Sequence, residues 1–239
     1  MKAIFLSDAH LRSPRDTGYG NLLRFLDEME PGTDHLFIVG DFFDFWFCRK
    51  GRLYPPFRAI VEKLLGLQRR GVQLHLFEGN HDFFLDDYFS DYGVEVVPES
   101  ATVELEKKRI YVSHGDRVDR SNRRYLLLRK FLRSPAVYLL QKSLPPSLLW
   151  SIAKASSDLS RGQLGWTEDG LTSIMRNFAE TKFQNGYDAV VLGHCHRPLI
   201  SRMTVGGKER ILVLLGDWIS HFTYLCYEKG SFELMNYRM

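Results

Sequence analysis

Residues 2–10 have the sequence KAIFLSDAH, in which a short apolar run ends directly in an aspartate and a histidine. The arrangement returns at residues 35–41, HLFIVGD, where a second apolar run ends in Gly40-Asp41. Such runs are typical of buried strands, and the longer stretches between them have the apolar spacing of helices. The pattern predicts a layered α/β protein. Three short strands within residues 94–113 suggest an antiparallel sheet in the middle of the chain.

Three more apolar runs end in polar clusters, so that five clusters follow five predicted strands. The later clusters are Gly79-Asn80-His81-Asp82, His114-Gly115-Asp116 and Gly193-His194-Cys195-His196. Because the carboxyl ends of parallel strands share one crevice, clusters far apart in sequence are expected to converge there. Each cluster alone is an ordinary turn or a modest metal signal, and only the five together favour a functional site.

Seven side chains from these clusters are predicted to bind metal ions. Asp8 and His10 are two residues apart, so on an extended backbone both would point the same way, and His194 and His196 repeat that spacing. Imidazole nitrogen mixed with carboxylate or amide oxygen suits Mn²⁺, Fe²⁺, Zn²⁺ or Co²⁺. Seven donors fit two ions better than one, and the set is Asp8, His10, Asp41, Asn80, His114, His194 and His196.

Four other side chains with metal-binding chemistry are left out of this set. His35 and His75 lie at or inside strands, and we expect local hydrogen bonds from both. Cys195 lies between two predicted ligands, but its side chain should point to the opposite face. His221 follows residues 216–218 near a strand edge and could approach the site, but a structural role is favoured.

The composition is typical of one soluble α/β domain. A length of 239 residues, 44% of them hydrophobic, is enough for a continuous apolar core. A net charge of +3 gives a nucleic-acid partner no support, and none is expected. Three scattered cysteines are too few for a disulfide framework and indicate a reducing cytoplasm. No run reaches the roughly 18 apolar residues that a membrane span requires.

A basic and apolar helical segment at about residues 121–181 is predicted to be an insertion. Between Ser121 and Arg161 the basic residues are numerous and Asp158 is the only acid, among many leucines and aromatic residues. This composition fits a cap that could admit acyl chains and rest on an anionic membrane surface. The alternative is a pair of helices packed on the domain with a solvated basic face.

The five clusters together resemble the signature of the calcineurin-like metallophosphoesterases, and they extend from Asp8 to His196. The resemblance implies an α/β (α+β) fold, a four-layer α/β-β sandwich, as one domain of residues 1–239 with the helical cap at about 121–181. It also implies two metal sites that share Asp41 as a bridge. The first has Asp8, His10, Asp41 and His196, and the second has Asp41, Asn80, His114 and His194.

Within that superfamily the chain looks most like the bacterial UDP-2,3-diacylglucosamine diphosphatases of lipid A synthesis, in residues 4–11, 40–46 and 214–218. The resemblance implies cleavage of UDP-2,3-diacylglucosamine to UMP and 2,3-diacylglucosamine 1-phosphate, usually with Mn²⁺. It implies a cytoplasmic enzyme that can associate with the inner face of the cytoplasmic membrane. By analogy, substrate contacts are expected from Asn122, Arg123, Tyr125 and Ser160, and after these from Lys154, Ser157 and Arg161.

One position departs from that family, because many members have arginine where this chain has His81. A histidine is a good general acid for an alkoxide leaving group, whereas a phosphate monoester has a pKa near ~6 to 7 and a cation suffices. His81 therefore fits alkoxide departure slightly better, although a protonated histidine could also stabilise a diphosphate. We predict His81 as the residue that serves the leaving group, oriented by Asp82, with His10 as a further catalytic residue.

Three other functions stay open on the sequence. A general phosphodiesterase or phosphatase acting on nucleotides or other small phosphoesters would explain His81. A nuclease would need a strand-length groove with stacking aromatic residues. A non-catalytic, metal-containing scaffold is the alternative outside the enzymes, and the complete set of predicted ligands argues against it.

Overall fold

Two β-sheets face each other across a central apolar core. The computed structural model describes residues 1–29, 31–144, 148–149 and 168–237. Its strands are β1 (Lys2–Leu6), β2 (His35–Val39), β3 (Gln73–Phe77), β4 (Glu95–Val97), β5 (Ser100–Leu105), β6 (Lys108–Ser113), β7 (Ala189–Leu192), β8 (Pro198–Val205), β9 (Lys208–Leu215), β10 (Thr223–Glu228) and β11 (Ser231–Asn236). The first sheet has the order β11-β10-β1-β2-β3-β4, and the second has the order β5-β6-β7-β9-β8.

Helices lie outside the two sheets. They are α1 (Thr17–Glu28), α2 (Arg58–Arg69), α3 (Asp86–Phe89), α4 (Arg123–Leu132), α5 (Pro135–Ser143) and α6 (Glu168–Gln184). The apolar faces of α1 and α2 pack on the first sheet, and α6 packs on the second through Met175, Ala179 and Phe183. The layers are therefore helix, sheet, sheet and helix, which confirms the predicted sandwich.

Strand β1 shows why the sequence folds into these layers. Ile4 and Leu6 pack towards α1 and α2, whereas Ala3 and Phe5 pack between the two sheets. Alternate residues of a strand face opposite sides, so a continuous apolar run supplies both cores. In the inner core the Phe5 and Phe37 rings stack with centroids 4.4 Å apart.

The parallel pairs direct several strand ends towards one edge. In the first sheet β1, β2 and β3 run parallel, and in the second β6, β7 and β9 do so. The prediction of one antiparallel sheet in residues 94–113 was wrong in two respects. β4 pairs parallel to β3 in the first sheet, and β6 is antiparallel to β5 but parallel to β7. Strand pairing is nonlocal, and local apolar patterns do not determine it.

Helices α4 and α5 form an arm, and neither helix has a residue buried in the core. Large apolar side chains on this arm are exposed, among them Leu127 at 68%, Phe131 at 62% and Leu139 at 63%. Helix α6, in the last part of the predicted insertion, packs on the second sheet, and the extent of the insertion stays a prediction. Within the described ranges no helix combines the length and the apolar character that crossing a bilayer demands.

Candidate metal centre

Five loops from the two sheets converge on one site. They carry all seven predicted ligands: Asp8 and His10 after β1, Asp41 after β2, Asn80 after β3, His114 after β6, and His194 and His196 after β7. The backbone N–H of His194 donates to Asp8 Oδ2 at 2.9 Å, and that of Asp8 donates to the Gly40 carbonyl at 3.1 Å. The convergence predicted from the strand ends is confirmed.

The backbone at the site is bent into the left-handed region. Of nine described non-glycine residues with positive φ, five are predicted ligands, namely Asp8 (55°), His10 (44°), Asp41 (51°), His194 (69°) and His196 (56°). This conformation costs roughly 1–3 kcal/mol per residue and collects at functional sites. Asp8 and His10 therefore converge through two left-handed residues, and the extended backbone that we assumed for them was wrong.

One donor group contains Asp8, His10 and His196. Asp8 Oδ1 lies 4.0 Å from His10 Nε2 and 3.6 Å from His196 Nε2. Donors bound to one ion at about 2.1 Å each lie roughly 3.4 Å apart in tetrahedral geometry, so these separations fit a shared cation. Asp8 Oδ1 and His10 Nε2 are buried and, within the described part of the chain, have no hydrogen-bond partner. A bound cation would satisfy both atoms.

The second donor group contains Asn80, His114 and His194. Asn80 Oδ1 lies 3.0 Å from His114 Nε2, and the three residues Asp41, His114 and His194 offer ligand atoms within 4.8 Å of one another. His114 Nδ1 lies 3.0 Å from the Val39 carbonyl oxygen, which can only accept. The ring proton is thus held at Nδ1, and Nε2 is directed into the centre as a metal ligand requires.

Asp41 lies between the two donor groups. Its Oδ2 is 3.6 Å from His10 Nε2 and 3.4 Å from His114 Nε2. Its Oδ1 accepts a hydrogen bond from the backbone N–H of His81 at 2.8 Å, which fixes the carboxylate plane. This placement fits a carboxylate that bridges two cations.

The electrostatics of the site favour cations. Six buried aspartates surround it: Asp8, Asp41, Asp44, Asp82, Asp116 and Asp217. Burial alone would lower the pKa of His114, but the Asp41 carboxylate beside it raises that pKa to about 10. Burial and the charge of His114 lower the pKa of His194 to about 4.

Asp82 organises the loops beneath the site. Its carboxylate accepts four backbone hydrogen bonds of 2.7–3.1 Å, from Gly79, Asp41, Phe42 and Phe43. The ring of His81 instead has Nδ1 3.1 Å from the Asp44 carbonyl oxygen. The orienting contact on His81 therefore comes from Asp44, and a catalytic role for Asp82 stays a prediction.

Two acidic residues that the sequence analysis did not assign contact the predicted ligands. Asp44 Oδ1 lies 3.3 Å from His10 Nδ1, and its Oδ2 lies 2.8 Å from Arg12 Nε. Asp217 Oδ2 lies 3.7 Å from His196 Nδ1 and 2.8 Å from His221 Nδ1. Asp44 is three residues after Asp41, and this proximity was the one signal in the sequence that could have identified it.

The histidines left out of the metal set make local contacts. His35 Nδ1 lies 3.2 Å from His75 Nε2, and His75 Nδ1 lies 2.5 Å from Glu95 Oε2, which confirms the expected hydrogen bonds. The Cys195 thiol, whose pKa burial raises to about 11, lies 3.8 Å from the Arg197 carbonyl oxygen.

The predicted substrate contacts are only partly covered by the described residues. Asn122 caps α4, since its side chain accepts from the Tyr125 backbone N–H at 3.1 Å, and Arg123 is exposed. The Tyr125 hydroxyl donates to Asp116 at 2.7 Å. Four of the predicted contacts lie outside the described residues, namely Lys154, Ser157, Ser160 and Arg161. Contact with substrate stays a prediction for all of them.

Comparison with known proteins agrees with this geometry. A family model described as calcineurin-like phosphoesterase matches residues 1–198. Relatives named UDP-2,3-diacylglucosamine hydrolase align over nearly the whole chain. The protein from Stenotrophomonas maltophilia (strain K279a) is 28% identical, over 98% of each chain, and that from Pseudomonas aeruginosa (strain PAO1) is 27% identical, over 91% of each chain.

A solved structure also shares the fold. An archaeal phosphodiesterase superposes with a TM-score of 0.53 at 13% identity, and the match covers 99% of this chain and 100% of the other. At that identity the similarity concerns the fold alone.

Proposed function

We propose a substrate for this chain, which belongs to the calcineurin-like phosphoesterase family and is a metal-dependent hydrolase of phosphoesters or diphosphates. The proposed substrate is UDP-2,3-diacylglucosamine, cleaved at its diphosphate to UMP and 2,3-diacylglucosamine 1-phosphate. One observation carries this choice. Beside a metal centre suited to phosphate chemistry, the chain places an arm of two helices that exposes large apolar side chains. In a diphosphate linked to acyl chains, the charged diphosphate matches the metal centre and the acyl chains match the apolar side chains.

The donor residues fit two divalent cations. Asp8, His10 and His196 would hold one ion, Asn80, His114 and His194 the other, and Asp41 both. When bound, two such ions activate a water molecule as nucleophile and stabilise negative charge on the phosphoryl oxygens. We propose Mn²⁺ as the native metal, since the mixed oxygen and nitrogen donors suit it. The test is to add Mn²⁺, Zn²⁺, Co²⁺ or Mg²⁺ to metal-free protein and to measure turnover with each metal. A higher turnover with another metal than with Mn²⁺ would overturn this choice.

His81 is the residue that we propose to interact with the leaving phosphate group. Its Nδ1 faces the Asp44 carbonyl oxygen, which only accepts, so the Nδ1 proton is held in place. Nε2 is then the atom that exchanges a proton with the leaving group or offers it a charged N–H. Arg12, held by its ion pair with Asp44, places a guanidinium group at this corner of the site.

The substrate is tested by comparing three compounds with the Mn²⁺-loaded protein. We expect UMP release from UDP-2,3-diacylglucosamine, and little cleavage of UDP-glucose or of a chromogenic phosphodiester. Equal or faster cleavage of the diester would support the second candidate, a general phosphodiesterase acting on small phosphoesters, which the histidine at position 81 favours. No cleavage of any of the three would revive a non-catalytic role.

We further propose a cytoplasmic protein that binds the membrane surface through its helical arm. Exposed basic residues, Arg123, Arg124 and Lys130, lie on the same helix as exposed Leu127 and Phe131. Basic and apolar side chains together favour anionic lipid surfaces. Co-sedimentation with phosphatidylglycerol vesicles tests the proposal, and equal binding to neutral phosphatidylcholine vesicles would contradict the charge argument.

A further inference from the structure

Three side chains form one stripe along the helical arm. Tyr125, Arg129 and Arg133 are spaced four residues apart, so they lie on one face of α4, with Arg133 as its C-cap residue. We call these three residues the anchor stripe. Leu127 and Phe131, about half a turn away from it, are exposed, whereas all three anchor residues are half-buried. The stripe therefore faces the body of the protein, and its hydrogen bonds and ion pairs show which loops it contacts.

At one end of the stripe, Arg133 is bound to the loop that presents Asn80. Its Nη1 lies 2.6 Å from Glu78 Oε2, and its Nη2 donates to the Gly79 carbonyl at 2.7 Å. Glu78 is buried, and its other oxygen accepts the Leu85 backbone N–H at 3.0 Å. The Gly79 carbonyl belongs to the peptide bond that leads into Asn80, so this guanidinium fixes the orientation of that peptide.

At the other end, Arg129 and Tyr125 are bound to the loop that presents His114. Arg129 Nε lies 2.6 Å from Asp116 Oδ2, and the Tyr125 hydroxyl donates to the same oxygen at 2.7 Å. Asp116 is buried two residues after His114. Two donors converge on one carboxylate oxygen, and this holds the loop against the helix.

The two loops come from different sheets. Asn80 follows β3 of the first sheet and His114 follows β6 of the second, and the two side chains meet with 3.0 Å between Asn80 Oδ1 and His114 Nε2. Arg129 and Arg133 are separated by roughly 6 Å along one helix. A single helix and its C-cap residue therefore contact one loop from each sheet at the edge where the predicted ligands converge.

We propose that the anchor stripe is a positioning device through which the helical arm sets the geometry of the second donor group, Asn80 and His114, and so the affinity for one of the two metal ions. This inference rests on the dinuclear centre proposed above, and it does not depend on the identity of the substrate. The first donor group, Asp8, His10 and His196, has none of its members in the two loops that the stripe holds. The arm should therefore affect one ion more than the other.

Calorimetric titration of metal-free protein with Mn²⁺, in the absence of substrate, tests the proposal. For Arg133→Met we expect one Mn²⁺ site to weaken by about 10- to 100-fold, as is typical when a partner that orients a ligand is removed. The other site should stay within about twofold of the wild type. Arg133→Lys keeps the charge but not the two-pronged contact, and it should restore only part of the affinity.

Two further variants keep the test decisive. Glu78→Gln/Arg133→Met removes the buried charge together with its partner, so it should fold even if Arg133→Met does not, and it should show the same selective loss. Arg58→Met changes an exposed arginine of α2, outside the arm, and should bind both ions as the wild type does. In the active protein, Arg133→Met should lower kcat more than it raises KM.

The proposal is overturned if a folded Arg133→Met or double variant binds both Mn²⁺ ions with wild-type affinity, or if both sites weaken equally. If the wild type itself binds no pair of ions, the dinuclear centre and this inference fail together. If it binds both ions but does not cleave UDP-2,3-diacylglucosamine, the proposed substrate is wrong. The positioning role is then still decided by the titration alone.

Discussion

The Asp41 carboxylate lies where the two donor groups meet, within 3.6 Å of His10 Nε2 and 3.4 Å of His114 Nε2. Its neighbourhood is tightly packed, because a Cβ placed on Gly79 would lie 2.1 Å from Asp41 Oδ1. At the scale of single residues, the site therefore depends on one carboxylate between the two donor groups and on a loop that leaves it room.

Asp41→Ala should abolish the binding of both metal ions, and hydrolysis should fall by more than about a hundredfold. A hundredfold loss is the upper end of what results when a residue that only orients a metal ligand is removed. Metal content by elemental analysis and turnover with Mn²⁺ measure the effect. Asp27→Ala, at an exposed acid paired with Lys63, is the control. Near-normal turnover in Asp41→Ala would contradict the assignment.

Gly79→Ala should displace Asp41 and destabilise the fold, since the new Cβ would also lie 2.4 Å from the Asp41 backbone nitrogen. Overpacking of this kind costs about 1–3 kcal/mol. Urea unfolding measures the free energy, and Mn²⁺ titration measures the accompanying loss of affinity. Gly20→Ala, in helix α1 with nothing within 4 Å of the added Cβ, should be neutral or stabilising by up to about 1 kcal/mol. Equal stabilities of the two variants would refute the packing argument.

At the scale of elements, neighbouring strands of the first sheet are linked by side chains as well as by backbone pairing. His35 on β2, His75 on β3 and Glu95 on β4 form a hydrogen-bonded row across three strands. Burial, and then the charge of His75, lower the pKa of His35 below its ordinary value, while Asp34 opposes them. The folded protein therefore favours the neutral form of His35.

The lowered pKa of His35 predicts that the fold loses stability in mild acid. The stability that neutral His35 contributes is complete above the unfolded-state pKa of about 6.5, and it is lost as pH falls through the lower folded-state pKa. The free energy of unfolding by urea should therefore decrease from pH 7 to pH 5, and less so in His35→Gln. A variant whose pH dependence equals that of the wild type would show that His35 does not contribute.

At the scale of the whole molecule, the predicted metal ligands join the two sheets. Ligands from β1, β2 and β3 meet ligands from β6 and β7 at one edge, and the strained left-handed residues are concentrated there. Cations that bind several of these side chains at once bind the folded chain far better than the unfolded chain. Metal binding should therefore stabilise the entire sandwich.

We expect Mn²⁺ at a hundred times its dissociation constant to stabilise the fold by about 2.7 kcal/mol per site. The increase in Tm should be reversed by EDTA and should be absent in Asp41→Ala. Scanning calorimetry at several Mn²⁺ concentrations measures it. A Tm that does not depend on Mn²⁺ would argue against a preformed centre.

The local pattern of the chain was sufficient for much of this architecture. Apolar runs such as residues 2–6 and 35–39 predicted buried strands, and the polar residues directly after them predicted the ligands. Both follow from short-range chemistry, since strand burial depends on side-chain polarity and the shared edge depends on parallel order. All seven predicted ligands converge, and their full coordination of metal stays a prediction.

Contacts between residues distant in sequence were decided by the tertiary structure alone. The pairing of β4 with β3, the contacts of Asp44 and Asp217 with the ligand histidines, and the hold of Arg133 on Gly79 depend on which elements become neighbours. Local polarity does not encode such neighbours, because sheet order and helix docking are selected by the packing of the whole core. The left-handed backbone at Asp8 and His10 likewise exists because the surrounding loops hold it there. The sequence by itself predicted which side chains carry the proposed chemistry, and the tertiary structure decided how they are held.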